Sequence, residues 1–543
     1  MQVNTLTKKL PLSLLPCEVF GLLTTNGRTS HTALLETAEP GTQKSKRSIS
    51  MVSAAAVIEG LDGTVTIKSL NDNGKSFIRA LAKSDGVPAG FTQDASSEVI
   101  TYTLNEGNYG NGFYESQRLT QPTIADVLTL ITEQIQCNQK ADNVSSCLIG
   151  AMSFDLVDQY EALPSLNKTT PDFKFYLADQ LVIQEDDSQS AKIIVKGFGD
   201  NATNTVRLGV AIDSIESKLL SSSKTPSLIA TSMSHTFTPL QSSDFKIDVT
   251  DEQFAGKVEK IKQRIIEGDA FQVVLSRTFS TECDDAFKAY QVLRKSNPGP
   301  YMYYINFADS QLFGSSPESA LKVFDNSKVT LYPIAGTRKR AITESGAINF
   351  ELDAKTEFEL ISDEKEGAEH MMLVDLARND LAKVIKAGSR QVTQLKRIVK
   401  YSNVMHMVSE VIGELRDDIN PMHAYRACAN MGTLTGAPKI KAVEIIRELE
   451  QKPRGYYGGA VSIYNANQEF DSAIIIRSAE VADGVAKVSA GAGIVYDSKP
   501  ELEANETFHK AKAVLNACQL AEQEINEQDI NENLKEKSKE SAA

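Results

Sequence analysis

The chain of 543 residues has no tryptophan, six histidines and six cysteines. The cysteines, at 17, 137, 147, 283, 428 and 518, form no C-x-x-C pair and are too sparse for a disulfide framework. They read as free thiols in a reducing compartment. No apolar run approaches the roughly 18–20 residues of a membrane span. At the N-terminus, Lys8 and Lys9 are followed by Pro11, Pro16 and Glu18, a poor match to a signal peptide. The expected location is the cytoplasm, with no membrane association. Positive charge is also short: 57 Lys+Arg face 71 Asp+Glu, a formal net charge of −14. That balance argues against a nucleic-acid partner, but a locally positive site for a small anion stays open. Gly-x-Gly-x-x-Gly is missing, and so is a Gly-x-Cys-x-Gly nucleophile loop. The chain therefore reads neither as a dinucleotide-binding fold nor as a fused glutaminase.

The length allows two to four structural units. Residues 1–220 alternate strand-like runs such as Val65-Thr-Ile-Lys68 with helical patterns such as 124–135. Residues 221–246, rich in Ser, Thr and Pro, read as a linker. From 251 to 267 an amphipathic helix is predicted, with Phe254, Val258, Ile261 and Ile265 on one stripe. Beyond 456, Ala460–Tyr464, Ala473–Ala479 and Val485–Ala490 alternate with tight turns and read as one antiparallel meander. The unit 247–520 is followed by a polar tail, 521–543, expected to be a frayed helix or disordered. Segregated strands and helices predict an α+β fold.

Five segments can carry chemistry. From Lys365 to Asp380 the pattern reads as a helix apolar around most of its circumference, hence buried, with Glu366 and Glu369 on one face. Glu503 and Glu506 repeat that i, i+3 spacing. Either pair alone is more often a solvated face or a helix start. Together they can form a four-carboxylate site, and an all-oxygen donor set suits Mg²⁺. The loop Met431-Gly-Thr-Leu-Thr-Gly-Ala-Pro-Lys439 leads into a helix whose first amides could meet an anion, or it is a plain capped turn. Arg477 ends an apolar run, as a carboxylate clamp or a buried salt bridge. Tyr457 beside Gly458-Gly459, and Gly491-Ala-Gly493, permit close backbone approach or mark bulges. His406, in Val404-Met-His-Met-Val408, is either a core histidine or an acid–base group suited to neutral pH.

Taken together, Pro333-Ile-Ala-Gly-Thr-Arg338, Asp375-Leu-Ala-Arg-Asn-Asp380, Gly432-Thr-Leu-Thr-Gly-Ala-Pro-Lys439, Gly491-Ala-Gly-Ile-Val495 and Glu503-Ala-Asn-Glu506 resemble the chorismate-utilising enzyme family. The match runs from about 250 to 518, and the whole chain is similar to the family's anthranilate-forming large subunits. The resemblance implies antiparallel sheets packed as a sandwich with helices outside. It implies a lyase using Mg²⁺ held among Glu366, Glu369, Glu503 and Glu506, with the ring carboxylate of chorismate on the metal. Gly336, Thr337 and Thr433 would line the ring pocket, Thr433 close to the chemistry. Tyr457, Arg477, Gly491 and the amide of Gly493 would hold the enolpyruvyl carboxylate. His406 would serve the elimination, and Glu369 could act as acid or base near the ring. Gln272 stands where isochorismate and salicylate synthases carry a lysine, and Ala335 where aminodeoxychorismate synthases typically carry one. Both point to ammonia as nucleophile and to anthranilate as product. The neighbouring alternative stops at aminodeoxyisochorismate and retains pyruvate.

The same resemblance implies a separate glutamine amidotransferase subunit, assembled as a heterotetramer or otherwise, and feedback inhibition by L-tryptophan. Leu34-Leu-Glu-Thr37 and Asn297-Pro-Gly-Pro-Tyr-Met-Tyr303 are similar to the two halves of the family's inhibitor site. Glu36 would receive the ligand's ammonium. Pro300, Met302 and Tyr303 would enclose the indole, with Thr37, Arg47, Ser48, Asn297 and Tyr301 around it. Thr37, Tyr303, Ser462 and Ile463 depart from the family pattern.

Overall fold

The computed structural model describes the chain except residues 39–44, 85, 106–117, 136–145, 165, 186–188, 201–203, 223–243, 326, 344–346, 402–403 and 541–543. Most of the expected linker thus lies outside the described residues. Side chains are described as far as residue 524.

The long strand Ser45–Leu61 pairs with Phe173–Glu185, and from this seam two arms of sheet grow. The first arm runs from Phe173–Glu185 through Cys147–Met152, Ala460–Asn465, Phe470–Ile474, Ser319–Phe324 and Lys328–Leu331 to Val404–Glu414. Ile334–Lys339 and Gln391–Lys400 complete its far end. The second arm runs from Ser45–Leu61 through Thr32–Ala38, Tyr301–Asn306, Gln311–Ser316, Ser478–Ala482 and Val485–Ile494 to Gln272–Glu282. Every strand pair among the described residues is antiparallel, as segregated elements with short turns require. Strands from both sides of residue 221 join this one sheet.

The arms face each other and share a core. Ile149, Tyr176 and Val461 from the first meet Ala33, Ile49, Tyr303, Ile305 and Leu312 from the second. Helices cover the outer faces. Ala286–Ser296 and Pro500–Glu540 pack on the second arm through Tyr290, Leu293, Val514 and Leu515. Asp72–Ala82, Asp126–Gln134 and Glu364–Ala382 cover parts of the first through Phe77, Leu128, Ile131, Val374 and Leu381. The α+β sandwich with outside helices is therefore as expected. The amphipathic helix is Asp251–Ile266, opened by a capping box of Thr250 and Gln253 and burying Phe254, Val258 and Ile261. A backbone helix continues through the polar tail to Glu540.

Two expectations are corrected. The C-terminal strands are two hairpins, Ala460–Asn465 with Phe470–Ile474 and Ser478–Ala482 with Val485–Ile494, and not one meander. Between them residues 475–477 carry the chain from the first arm to the second. The tight alternation of strand and turn is identical in both arrangements, so sequence pattern could not separate them. Secondly, Glu364–Ala382 buries only one stripe, Gly367, His370, Val374, Ala377 and Leu381 among it. Of its other apolar residues, Met372, Leu373 and Leu376 line cavities instead.

Candidate active site

The chain crosses between the arms a second time, from Gln311–Ser316 to Ser319–Phe324, through Pro317-Glu318. The two crossings are tied together: Ser315 donates its amide to Arg477 O at 3.1 Å, and Ile474 donates to Glu318 O at 3.0 Å. Arg477 and Glu318 are thereby fixed at the cleft between the arms. Arg477 takes a φ of +51°, a conformation rare for a residue with a side chain and commonest where function demands it.

A cavity of about 640 Å³ opens at this cleft. Its lining includes Gln272, Gly336, Thr337, Glu366, Glu369, His406, Thr433, Tyr457, Arg477, Gly491, Gly493, Glu503 and Glu506. Every residue expected around the metal and the substrate therefore meets here, from segments up to 234 residues apart (506 − 272).

The first arm builds one wall. Gly336 sits at a bulge with φ +69°, and a Cβ there would stand 3.1 Å from Glu366 Oε2. Thr337 Oγ1 and His406 Nδ1 are 2.8 Å apart. Arg338 donates to Glu366 Oε1 at 2.7 Å and Asp363 Oδ2 at 3.0 Å. Asp363 also caps the helix Glu364–Ala382 by accepting from the Glu366 amide. The motif 333–338 thus orients the helix that presents both of its glutamates.

The second arm builds the opposite wall. Gly491 and Gly493 mark no bulge, because the ladder to Gln272–Glu282 is regular there. Their missing side chains make room for two others. A Cβ on Gly491 would lie 2.9 Å from Tyr457 Oη, and one on Gly493 2.7 Å from Gln272 Nε2. The helix carrying Glu503 and Glu506 is anchored by buried Arg277, which donates to Ala504 O and Thr507 Oγ1, both at 2.8 Å.

Charge is unevenly satisfied. Glu366 is paired with Arg338, Glu369 with Lys365 at 3.8 Å, and Glu506 with Lys510 at 2.5 Å. Burial pushes the pKa of Glu369 and Glu503 up, and the neighbouring Glu506 carboxylate raises both further. The four carboxylates line one cavity but do not form a closed ligand cluster among the described residues. Arg477 has no carboxylate within ion-pair distance among the described residues. It donates to Lys510 O at 2.9 Å, and burial lowers its pKa.

Two corrections follow. His406 does not suit proton transfer as an imidazolium near neutral pH. Burial, with Arg477 nearby, pushes its pKa down to about 4. Sequence could show an apolar neighbourhood but not the cation facing it. The loop 431–439 is divided: Thr433 lines this cavity, whereas Pro438, Lys439, Ile440 and Lys441, at the start of the helix Lys439–Glu450, line another. Lys439 is held by Asp380 Oδ2 at 2.8 Å and Ala429 O at 2.9 Å. Gly436 runs so close to the first strand of the wall that a Cβ would reach 2.0 Å from Gln272 O.

Sequence reading missed Glu318, Arg338, Lys510 and Arg277. Glu318 is the most consequential. Its carboxylate accepts from Thr433 Oγ1 at 3.1 Å, and burial pushes its pKa up to about 6. A lone glutamate after proline carries no pattern. Only the crossing of the arms gives it meaning.

The expected inhibitor residues lie elsewhere, on neighbouring strands. Glu36 pairs with Ser48 and Met302, and Thr37 with Arg47 and Tyr301. The two-residue period of a strand then divides them. Glu36 and Met302 share the helix-covered face, whereas Tyr303 belongs to the core between the arms. Met302 and Tyr303 therefore cannot enclose one indole from the same side. Glu36 is already occupied: Arg294 donates to both its oxygens at 2.8–3.0 Å, and Tyr290 donates at 2.5 Å. Asn297 ends the helix that carries both, and Pro300 leads into the strand Tyr301–Asn306.

The cleft sets a guanidinium with no carboxylate partner among the described residues against four carboxylates. The profile described as "chorismate binding enzyme" matches residues 94–516. Anthranilate synthase component 1 of Escherichia coli (strain K12) is 40% identical over 527 residues, covering 95% of this chain and 98% of that protein. The Haemophilus influenzae protein of that name is 40% identical over 501 residues, covering 90% and 92%. The crystal structure of anthranilate synthase component I from Streptococcus pneumoniae TIGR4 superposes with a TM-score of 0.66 at 28% identity, covering 88% and 94%. The menaquinone-specific isochorismate synthase of Escherichia coli shares the fold, with a TM-score of 0.64 at 16% identity over 95% of each chain. The chain belongs to the chorismate-binding enzymes and, within them, to the family of anthranilate synthase component 1. Among the described residues, no helix is long and apolar enough to cross a membrane.

Proposed function

We propose that the chain, as the large subunit of a cytoplasmic anthranilate synthase, converts chorismate and ammonia into anthranilate and pyruvate. The observation that carries this reading is the single cavity with Arg477 at the arm crossing and four carboxylates on two helices. Arg477 and Tyr457 take one carboxylate of the substrate. Glu366, Glu369, Glu503 and Glu506 would hold Mg²⁺, an oxygen donor set that fits this ion. Besides burial, the Glu506 carboxylate raises the pKa of Glu369 and Glu503, which a divalent cation would relieve. When bound, Mg²⁺ supplies positive charge for the ring carboxylate.

The protein groups then divide the work. Glu318, protonated in part near neutrality, gives its proton to the departing C4 hydroxyl as ammonia bonds at C2; water leaves, and the new C2 ammonium gives up one proton to leave the amine. Neutral His406, oriented by Thr337, accepts the C2 proton as the C3–O bond breaks. The enolpyruvate released gains a proton at its methylene carbon and becomes pyruvate. Gln272 cannot activate water as a lysine would, and Ala335 offers no nucleophile. The ammonia comes from a separate glutamine amidotransferase subunit.

The purified chain with chorismate, Mg²⁺ and ammonium should form anthranilate, read by its fluorescence, with equal pyruvate. EDTA should reduce both to background, and Mg²⁺ should restore them. Chorismate consumed without pyruvate would establish the aminodeoxyisochorismate alternative. Activity undiminished by EDTA would remove the metal from the reading.

We also propose that L-tryptophan inhibits from the strands around Thr37, Arg47, Tyr301 and Tyr303. Glu36 then acts by holding Arg294 and the helix Ala286–Ser296, not by binding the ligand's ammonium. Glu36→Gln should lower unfolding stability by about 3 kcal/mol, because a buried ion pair loses one charge. Inhibition should weaken in step with that loss. Weakened inhibition at unchanged stability would return Glu36 to direct contact with the ligand.

A further inference from the structure

The segments Asp375-Leu-Ala-Arg-Asn-Asp380 and Pro438-Lys439 take no part in the chemistry proposed above, yet they meet. Lys439 Nζ donates to Asp380 Oδ2 at 2.8 Å, to Ala429 O at 2.9 Å and to Cys428 O at 3.4 Å. Both side chains are largely buried, with 14% and 8% of their surface exposed. Neither lines the chorismate cavity, and both line another of about 800 Å³.

Each charge stands at the unfavourable end of its own helix. Asp380 is in the last turn of Glu364–Ala382, where the macrodipole disfavours an anion and no basic residue is present. Lys439 opens Lys439–Glu450, where a cation is disfavoured and the first turn has no acidic residue. Lys383, 3.8 Å from Asp380, is a more exposed second partner. The pair therefore does not serve the helices that carry it. It joins them to a third, because the same ammonium meets the C-terminal carbonyls of Pro421–Cys428.

The consequence falls on the loop 429–438, whose two ends this one ammonium brings together. The loop lies on the strand Gln272–Glu282. Ala437 pairs with Gln272 and Gly436 with Val273, while Phe271 donates its amide to Ala437 O at 2.7 Å and Val274 to Thr435 O at 2.8 Å. Within the loop, Thr433 Oγ1 donates to Glu318 Oε2 at 3.1 Å. Arg454 holds the loop elsewhere, through Leu434 O at 2.6 Å.

We propose that Lys439 and Asp380 are positioning residues, whose ion pair closes the base of the loop 429–438 and so holds Thr433 against Glu318. This rests on the reading of Glu318 as the proton donor to the departing hydroxyl. Besides Thr433, the groups that face Glu318 are Lys510, Arg477, Tyr457 and Tyr401, none of them on the loop. A changed titration of Glu318 in a Lys439 variant therefore reports on Thr433. The Thr433 hydroxyl donates to the carboxylate and favours its charged form, so withdrawing it raises the pKa.

Lys439→Met, assayed with chorismate and ammonium, should lower kcat about tenfold and keep the chorismate KM within about twofold of wild type. The fall of kcat/KM at rising pH should move up by about half to one pH unit, the size of one lost hydrogen bond. Thr433→Val should move it equally, and adding Lys439→Met to Thr433→Val should move it no further. Lys439→Arg should restore most of kcat. In the free chain, amide hydrogen exchange at Phe271, Val274, Leu434 and Thr435 should quicken about tenfold or more in Lys439→Met, with the hairpin 460–474 unchanged. Should that variant not fold, the double variant Asp380→Asn, Lys439→Met leaves no buried charge unpaired and takes the same tests. The proposal is overturned if exchange quickens everywhere or nowhere, or if the loop loosens while kcat and the pH limb stay those of wild type. A wild-type chain that makes no anthranilate, or whose profile lacks the limb, overturns the reading of Glu318 instead, and exchange then decides by itself whether the ion pair holds the loop.

Discussion

Glu318→Gln should lower kcat by about 10²- to 10⁴-fold, the usual range for a missing general acid, and leave the chorismate KM nearly unchanged. The amide keeps the size of the side chain and can still meet Thr433, so the fold is not at issue. What it loses is the proton. The other titratable groups of the cavity cannot replace it. His406 is held neutral at about pKa 4, so it has no proton to give near neutrality. Glu369 shares its surroundings with Glu366, Glu506 and Lys365, on the side of the cavity read as the metal's. Burial raises Glu318 to about 6 against the opposing Thr433, Lys510 and Arg477. The sign follows directly. A carboxyl that must be protonated to act is present below its pKa and lost above it. The kcat/KM profile should therefore lose this contribution as pH rises through about 6 in free enzyme. On kcat the same limb should lie higher, because the bound dianion disfavours the carboxylate. In Glu318→Gln the limb should vanish. A variant with wild-type kcat, or one that keeps the limb, would assign the acid elsewhere.

The fold and the site were legible to different depths. Helix stripes, turn residues and the α+β class followed from local periodicity, and so did the helix Asp251–Ile266. The residues that line the cavity were legible through their motifs, since Gly336, Thr337, Arg477, Gly491 and Glu503 each sit in a short run with its own spacing. What stayed hidden depends on which strand lies beside which. Alternating strands and turns look alike whether consecutive hairpins pair or cross between arms, so neither crossing could be seen. Glu318 owes its function to one of them. The expected inhibitor residues fall on two faces for a related reason. Thr37 and Glu36, or Met302 and Tyr303, are adjacent in sequence and for that reason point to opposite faces. Arg294, the cation that closes Glu36, is more than 250 residues away from it (|i−j| = 258).

Arg477→Met should raise the chorismate KM by about 10²-fold or more, corresponding to about 3 kcal/mol for a charge-assisted pair of hydrogen bonds. Its effect on stability should run the other way. A buried arginine that closes a native ion pair destabilises the protein when removed, because an uncompensated carboxylate remains. Arg454 is of that kind, with buried Glu450 as its partner. Arg477 is not. No carboxylate lies within ion-pair distance of it among the described residues, and its guanidinium is partly desolvated at the cavity wall. The folded chain bears that desolvation, together with a left-handed backbone at residue 477, to keep a cation ready for an anion it does not itself contain. The free variant should thus melt at or above the wild-type temperature. Chorismate should raise Tm strongly in wild type and weakly in the variant, since ligand stabilisation follows affinity. Arg477→Lys should fall between them in KM, because an ammonium keeps the charge but cannot form the bidentate fork. A variant that loses several degrees of Tm in the absence of substrate would mean that Arg477 serves the fold, and the guanidinium clamp would have to be sought at another residue.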